Sequence, residues 1–170
     1  MKEIDFRYDL LPLKNKLFRL ALRITLDTAE AEDVVQDTLI RAWTKREELA
    51  KADSVEAYYM TICRNLALDR SEKADARVLS LDEHPLEATE NAPSPAEEIE
   101  KRERHRQVRM VFDQLPEKFR SILQLRDIEG KSGRETAEIL GISEENAKVI
   151  LHRARLALRE SYLKLENHGL

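Results

Sequence analysis

The chain has one cysteine, Cys63, which excludes an internal disulfide and any cysteine-rich zinc site. Turn formers are scarce: four glycines and five prolines in 170 residues. Aromatics make up 5% of the chain and charged residues 36%. So much charge with so few turn formers argues for a mostly helical, soluble protein. No apolar run approaches the roughly 18 residues that a membrane span needs. The N-terminus, MKEIDFRYDLLPLKNK, has no uninterrupted apolar stretch of the signal-peptide kind. The 42% hydrophobic content is still too high for a fully disordered chain. The expectation is an all-α cytoplasmic protein with modest cores.

The net charge of −4 hides an asymmetry. From Asp82 to Glu100 there are seven acids and no Lys or Arg, so the rest of the chain carries +3. The same stretch holds Pro85, Pro93 and Pro95 and has no sustained apolar period. It reads as a flexible acidic linker over 79–98, between an N-terminal module over 1–78 and a C-terminal module over 99–170. Composition of this kind also simply solvates well. The linker has the charge to fold back on basic faces elsewhere in the chain. Each module is small, so each core is expected to be marginal alone.

In the N-terminal module Leu10, Leu13, Leu17, Leu20 and Ile24 step by three and four residues, one stripe of an amphipathic helix with Pro12 in its first turn. Asp27 or Thr28 can cap the next helix, which buries Ala31, Val34, Val35, Thr38, Leu39 and Ala42. Its other side carries Glu32, Asp33, Gln36, Asp37 and Arg41. A polar stretch, Thr44 to Val55, holds Lys45, Arg46, Lys51 and Ser54, and Ser54 can cap a third helix. There Tyr58, Ile62 and Leu66 form a stripe, flanked by Tyr59 and Cys63, with Arg64, Asn65, Arg70 and Lys73 on the other face. Two tyrosines beside a basic helical face suit base stacking with phosphate contact. The same pattern also fits one core tyrosine next to a solvated face. Cys63 reads as packing.

In the C-terminal module Val108, Val111, Phe112 and Leu115 form a stripe ended by Pro116, and Phe119, Ile122, Leu123 and Leu125 start another helix. Then come a helix from Arg134 to Leu140, a turn Gly141-Ile142-Ser143, and a longer helix. A short glycine turn between two amphipathic helices is the helix-turn-helix pattern. Ala147, Ile150, Leu151, Ala154 and Leu158 line one face of the second helix. Glu145, Asn146, Lys148, Val149, His152 and Arg153 face away or border that side. Asn146 to Arg159 holds four Lys/Arg and no acid. Such a helix can enter a major groove, its cations meeting phosphate, Asn146 a base edge and Val149 a thymine methyl. An ordinary helical hairpin with a basic face shows the same pattern. His152 has no His or Cys partner at ligand spacing, so no metal site is expected.

Three segments together resemble bacterial extracytoplasmic-function sigma factors of the sigma-70 family. They are Ala31-Glu-Asp-Val-Val-Gln-Asp-Thr-Leu-Ile-Arg-Ala-Trp43, Tyr58-Tyr-Met-Thr-Ile-Cys-Arg-Asn-Leu-Ala-Leu-Asp69, and Leu115-Pro116 through the helix-turn-helix to His152-Arg-Ala-Arg155. With the linker they cover nearly the whole chain. The resemblance implies a region 2 bundle and a region 4 helix-turn-helix, no catalytic activity and no cofactor. It implies that Glu32, Asp33, Gln36, Asp37 and Arg41 contact the clamp helices of core RNA polymerase. It implies that Lys45, Arg46, Lys51, Ser54, Tyr58, Arg64, Asn65, Arg70 and Lys73 meet the −10 promoter element, with a flipped base held by the loop Thr44–Val55. Glu145, Asn146, Lys148, Val149, His152 and Arg153 would read the −35 element, and the early helices of that module would touch the polymerase flap. An anti-sigma factor is the further partner implied, and no insertion into the membrane. The chain departs from the family pattern at Tyr58-Tyr59 (often Trp-Leu), at Glu72 (often basic) and at Val149-Ile150 (often Ser-Arg).

Two other readings stay open on the sequence. A conventional helix-turn-helix regulator would explain the C-terminal module but not the acidic face of Glu32 to Asp37. A helical adaptor would bind no nucleic acid. An enzyme finds least support: no nucleophile has a nearby base, and there is no glycine-rich phosphate loop.

Overall fold

A computed structural model describes residues 3–75 and 96–167. Among the described residues there are helices and turns and no strand. The expected linker lies outside the described residues, except 96–98, which form the first turn of a helix. That helix starts earlier than the charge pattern suggests because Glu97 and Glu98 suit a helix start.

The N-terminal module begins with a π-helical turn, Phe6–Leu10, capped by Asp5, whose carboxylate accepts from the backbone N–H of Arg7 and Tyr8. A 3-10 turn, Leu11–Leu13, follows, with Pro12 at its start, and runs into α1, Lys14–Thr25. The stripe predicted from the sequence is buried here: Leu10, Leu17 and Leu20 are fully enclosed. α1 ends at Leu26, whose left-handed backbone (φ 56°) lets its N–H bond the Leu22 carbonyl. Asp27 caps α2, Thr28–Thr44, by accepting from Glu30 N at 3.1 Å. The short α3, Arg46–Leu49, tucks Leu49 into the core. Ser54 starts α4, Val55–Asp75, by accepting from Ala57 N at 3.2 Å. Helices α1, α2 and α4 pack against one another around a core that includes Ile24, Val34, Leu39, Met60 and Cys63.

The register of α4 differs from the stripe read in the sequence. Tyr59, Met60, Cys63 and Ala67 are buried, while Tyr58, Ile62 and Leu66 are half-buried and line a cleft. The first turns of α4 are apolar on more than one side, so periodicity alone does not choose the core face. Packing against α1 and α2 does.

The C-terminal module comprises α5 (Ala96–Asp113), α6 (Glu117–Leu123), a wide π-helical turn (Gln124–Ile128), α7 (Gly133–Leu140) and α8 (Glu144–Asn167). α8 packs on α5, α6 and α7. Val111 and Phe112 are buried, whereas Val108 is 38% exposed. The two modules touch: α6 lies on the end of α1, and α7 lies on α4. Their buried apolar residues form one continuous cluster.

Candidate nucleic-acid and polymerase interfaces

The outer side of α2 is set by its inner side. Ala31, Val34, Val35, Thr38, Leu39 and Ala42 are buried, and the Thr38 hydroxyl donates to the Val34 carbonyl at 2.7 Å. Helical geometry then turns Glu32, Asp33 and Gln36 out to solvent, with Asp37 half-buried. Arg70, from α4, reaches over to this face. Its guanidinium donates to Asp33, to Asp37 at 2.6 Å and to Glu30 at 3.5 Å. The Asp33 bond holds the Arg70 pKa above its ordinary value. Beside the acids lies an apolar patch missed in the sequence. Ile40 is 64% exposed, and Trp43 stacks edge-on with Phe6 at 5.7 Å. The Arg46 guanidinium lies 4.4 Å over the Trp43 ring, a cation–π contact. The available signal was the spacing of residues 36, 40 and 43, which share one helix side opposite the core.

On the other side of α2 a cleft of about 950 Å³ opens between its end, the loop after α3 and the first half of α4. Lys45, Lys51, Ser54, Tyr58 and Asn65 come together there. Arg41, grouped in the sequence with the α2 acids, sits on its rim. Four expected residues are not brought to it. Arg46 goes to Trp43 and Arg70 to the α2 acids. Lys73 pairs with Asp69 at 3.3 Å, and Arg64 is half-buried away from the lining. The cleft also holds Ile62 and Leu66, read in the sequence as an apolar stripe, and two residues given no site role there, Thr61 and, from α7, Glu138. Tyr59 is fully buried and its hydroxyl has no bonding partner among the described residues, so it is a core residue. Burial, then Asp9, pushes its phenol up to about 12.

The helix-turn-helix is built by caps. The Ser132 hydroxyl accepts from Glu135 N at 3.1 Å and donates to the Glu135 carboxylate at 3.4 Å, which caps α7. Gly141 ends α7 in the left-handed conformation (φ 67°), and the Ile142 N–H bonds the Ala137 carbonyl at 3.0 Å. Ser143 then caps α8 by accepting from Asn146 N at 3.1 Å. Ala147, Leu151 and Ala154 are buried, with Ile150 and Leu158 half-buried beneath them. That anchoring leaves Glu145, Asn146, Lys148, Val149, His152 and Arg153 exposed along one side. Arg155 is tied to Asp127 by two bonds of 3.1 and 2.6 Å, which fixes α8 to the turn after α6.

Comparison with known proteins follows the two modules. The Sigma-70 region 2 family model matches residues 12–77, and the Sigma-70, region 4 model matches residues 105–158. The ECF RNA polymerase sigma factor SigL of Mycobacterium tuberculosis is 34% identical over 144 residues, which covers 84% of this chain and 80% of SigL. The Xanthomonas campestris protein RfaY is 33% identical over 154 residues, and the chain spans 38% of its length. The sigma factor RpoE of Bartonella quintana, solved in complex with the anti-sigma factor NepR, superposes with a TM-score of 0.71 at 26% identity, covering 94% of this chain and 97% of that one. With both sigma regions present in order and SigL matched along most of its length, the chain belongs to the extracytoplasmic-function sigma factors of the sigma-70 family, which are transcription initiation factors rather than enzymes.

Proposed function

We propose that this chain carries core RNA polymerase to its own set of promoters through three surfaces. The outer side of α2, with Glu32, Asp33, Gln36 and Asp37 beside Ile40 and Trp43, takes the polymerase clamp. The cleft at Lys45, Lys51, Ser54, Tyr58 and Asn65 takes the opened −10 strand. Unstacking a base costs energy, and an aromatic wall with cations nearby offsets it. The exposed side of α8 reads the −35 duplex. Neither module is strongly basic, so each is expected to bind DNA weakly alone. Tethering both to one polymerase raises the effective concentration of each.

The observation that carries the reading is the α8 surface. A helix held by buried Ala147, Leu151 and Ala154 presents Asn146, Lys148, Val149 and Arg153 outward together, and 146–159 contains no acid. The protein would act wherever core polymerase is, in the cytoplasm. No described helix is long and apolar enough to cross a membrane. An anti-sigma partner fits the likeness to a sigma factor solved with one. Transcription in vitro with core polymerase from the same organism, on genomic fragments, tests the proposal. New start sites that need the chain and share two upstream elements establish it. Duplex binding without polymerase and no stimulation would replace it with a conventional regulator.

A further inference from the structure

By helical spacing Arg155 belongs with the groove-facing cations of α8. It stands seven residues, about two turns, after Lys148 and so lies on the same line of the helix. The structure gives it another partner. Its Nε donates to Asp127 Oδ2 at 3.1 Å and its Nη2 to Asp127 Oδ1 at 2.6 Å, a two-pronged contact that fixes distance and angle together.

Asp127 sits on a stiff mount. The turn Gln124–Ile128 is closed by Glu129 N on the Gln124 carbonyl at 2.9 Å, and the chain leaves it through Gly130 in the left-handed conformation (φ 71°). Lys131 N then bonds back to the Leu125 carbonyl at 2.8 Å, and Arg126 Nη1 donates to the Lys131 carbonyl at 2.7 Å. Leu125 is fully buried.

The inner side of α8 gives less control over its rotation. Near the reading residues it consists of Ala147, Leu151 and Ala154, with Ile150 half-buried. Apolar burial is non-directional, and alanine methyl groups are poor stops against a helix rolling about its own axis. The consequence of a roll is largest at the side-chain tips. A rotation of about 20° sweeps a side-chain end roughly 5–6 Å from the axis through about 2 Å. That is enough to break a hydrogen bond to a base edge.

We propose that Arg155 is a positioning residue for duplex recognition: held by Asp127, it sets the roll of α8, and with it the aim of Asn146 and Val149, and does not itself neutralise a phosphate. The inference rests on the outer side of α8 being the −35 reader. An exposed ion pair adds little to stability, and the Arg155 side chain is 53% exposed. The contact is therefore expected to act on sequence preference and hardly on folding.

The test uses the full-length chain and a pool of duplexes of about 30 base pairs, roughly three helical turns, randomised at the centre. Bound duplexes are sequenced, binding is titrated at several salt concentrations, and thermal denaturation checks that each variant is folded. The variants are Arg155→Gln, Asp127→Asn and the two combined, with Lys148→Ala as the phosphate-contact control. The single variants remove one contact from its two ends. Each should lower enrichment of the preferred bases about tenfold, the size of one lost base contact, and the two together should lower it no further. The slope of log affinity against log salt should stay at the parent's value, whereas Lys148→Ala lowers it by about 1. A slope lowered by about 1 in Arg155→Gln, with enrichment kept and Asp127→Asn like the parent, overturns the inference and makes Arg155 a phosphate contact. Parental enrichment in all three variants also overturns it. A parent chain that enriches no sequence overturns the −35 reading of α8 and the inference with it, a result seen in the parent alone and so distinct from the others.

Discussion

Tyr58 and Tyr59 are neighbours in sequence and have opposite fates. Tyr58 lines the cleft, and Tyr59 is fully enclosed with no partner for its hydroxyl among the described residues. A buried unsatisfied hydroxyl costs about 1–3 kcal/mol of desolvation. Tyr59→Phe should therefore leave stability unchanged or raise it by up to about 1 kcal/mol in urea denaturation, with transcription unaffected. Tyr58→Ala should weaken single-strand binding by about 1–3 kcal/mol, the worth of one stacked base, and leave the fold intact. A loss of folding in Tyr58→Ala, or a destabilised Tyr59→Phe, would reverse these assignments. The Arg70 side chain also shows a role the composition of α4 could not reveal. Cationic residues near the end of a basic face look like phosphate contacts, yet three carboxylates of α2 hold this one.

At the scale of elements, the helix-turn-helix depends on its caps. Gly141 sits at φ 67°, and nothing lies within 4 Å of where a Cβ would be. Gly141→Ala therefore meets no clash, only the backbone penalty of the left-handed region, about 1–2 kcal/mol. Thermal denaturation should show that loss, along with weaker duplex binding through a misaimed α8. On α8 itself Lys148→Ala should weaken binding evenly across sequences and lower the slope of log affinity against log salt by about 1, whereas Asn146→Ala should relax preference at one base position. Binding titrations at several salt concentrations, on matched and mismatched duplexes, separate the two effects.

For the whole molecule, the module interface is legible through pH. Burial alone would raise the Glu129 pKa, but the bonds from Arg19 and Gln124 outweigh it and hold it below the usual 4.5. A carboxylate lowered on folding adds stability that is present above its unfolded pKa and lost as pH falls through its folded value. Burial pushes Asp113 the other way, against the pull of Arg23. Arg19→Gln should accordingly flatten the loss of stability below about pH 4.5, measured by urea denaturation against the parent at pH 7 and pH 3.5. A parent and variant with parallel pH profiles would show that the Arg19–Glu129 contact does not persist in solution. Added salt should weaken the exposed arm of the same contact, since Arg19 is 45% exposed, and narrow the stability difference between the parent and Arg19→Gln in urea denaturation.

The sequence by itself was enough for the all-helical character, the two modules, the inner faces of α1, α2 and α8 and the turn at Gly141. Each of these rests on local rules: helical periodicity, capping side chains and the conformational freedom of glycine. It was also enough to place Glu32, Asp33 and Gln36 on one exposed side, because three and four residue steps leave no other option. What only the tertiary structure decided depends on contacts between residues far apart in the chain. The core face of α4 was ambiguous until α1 and α2 packed on it, so Tyr59 rather than Tyr58 is buried. Arg46 and Arg70 turned to partners on other elements, Trp43 and the α2 acids. The meeting of α7 with the cleft, 81 residues apart in the chain at Ser54 and Glu135, has no sequence signature at all. Charge complementarity between distant segments leaves no period and no spacing to read; it exists only once folding brings the segments together.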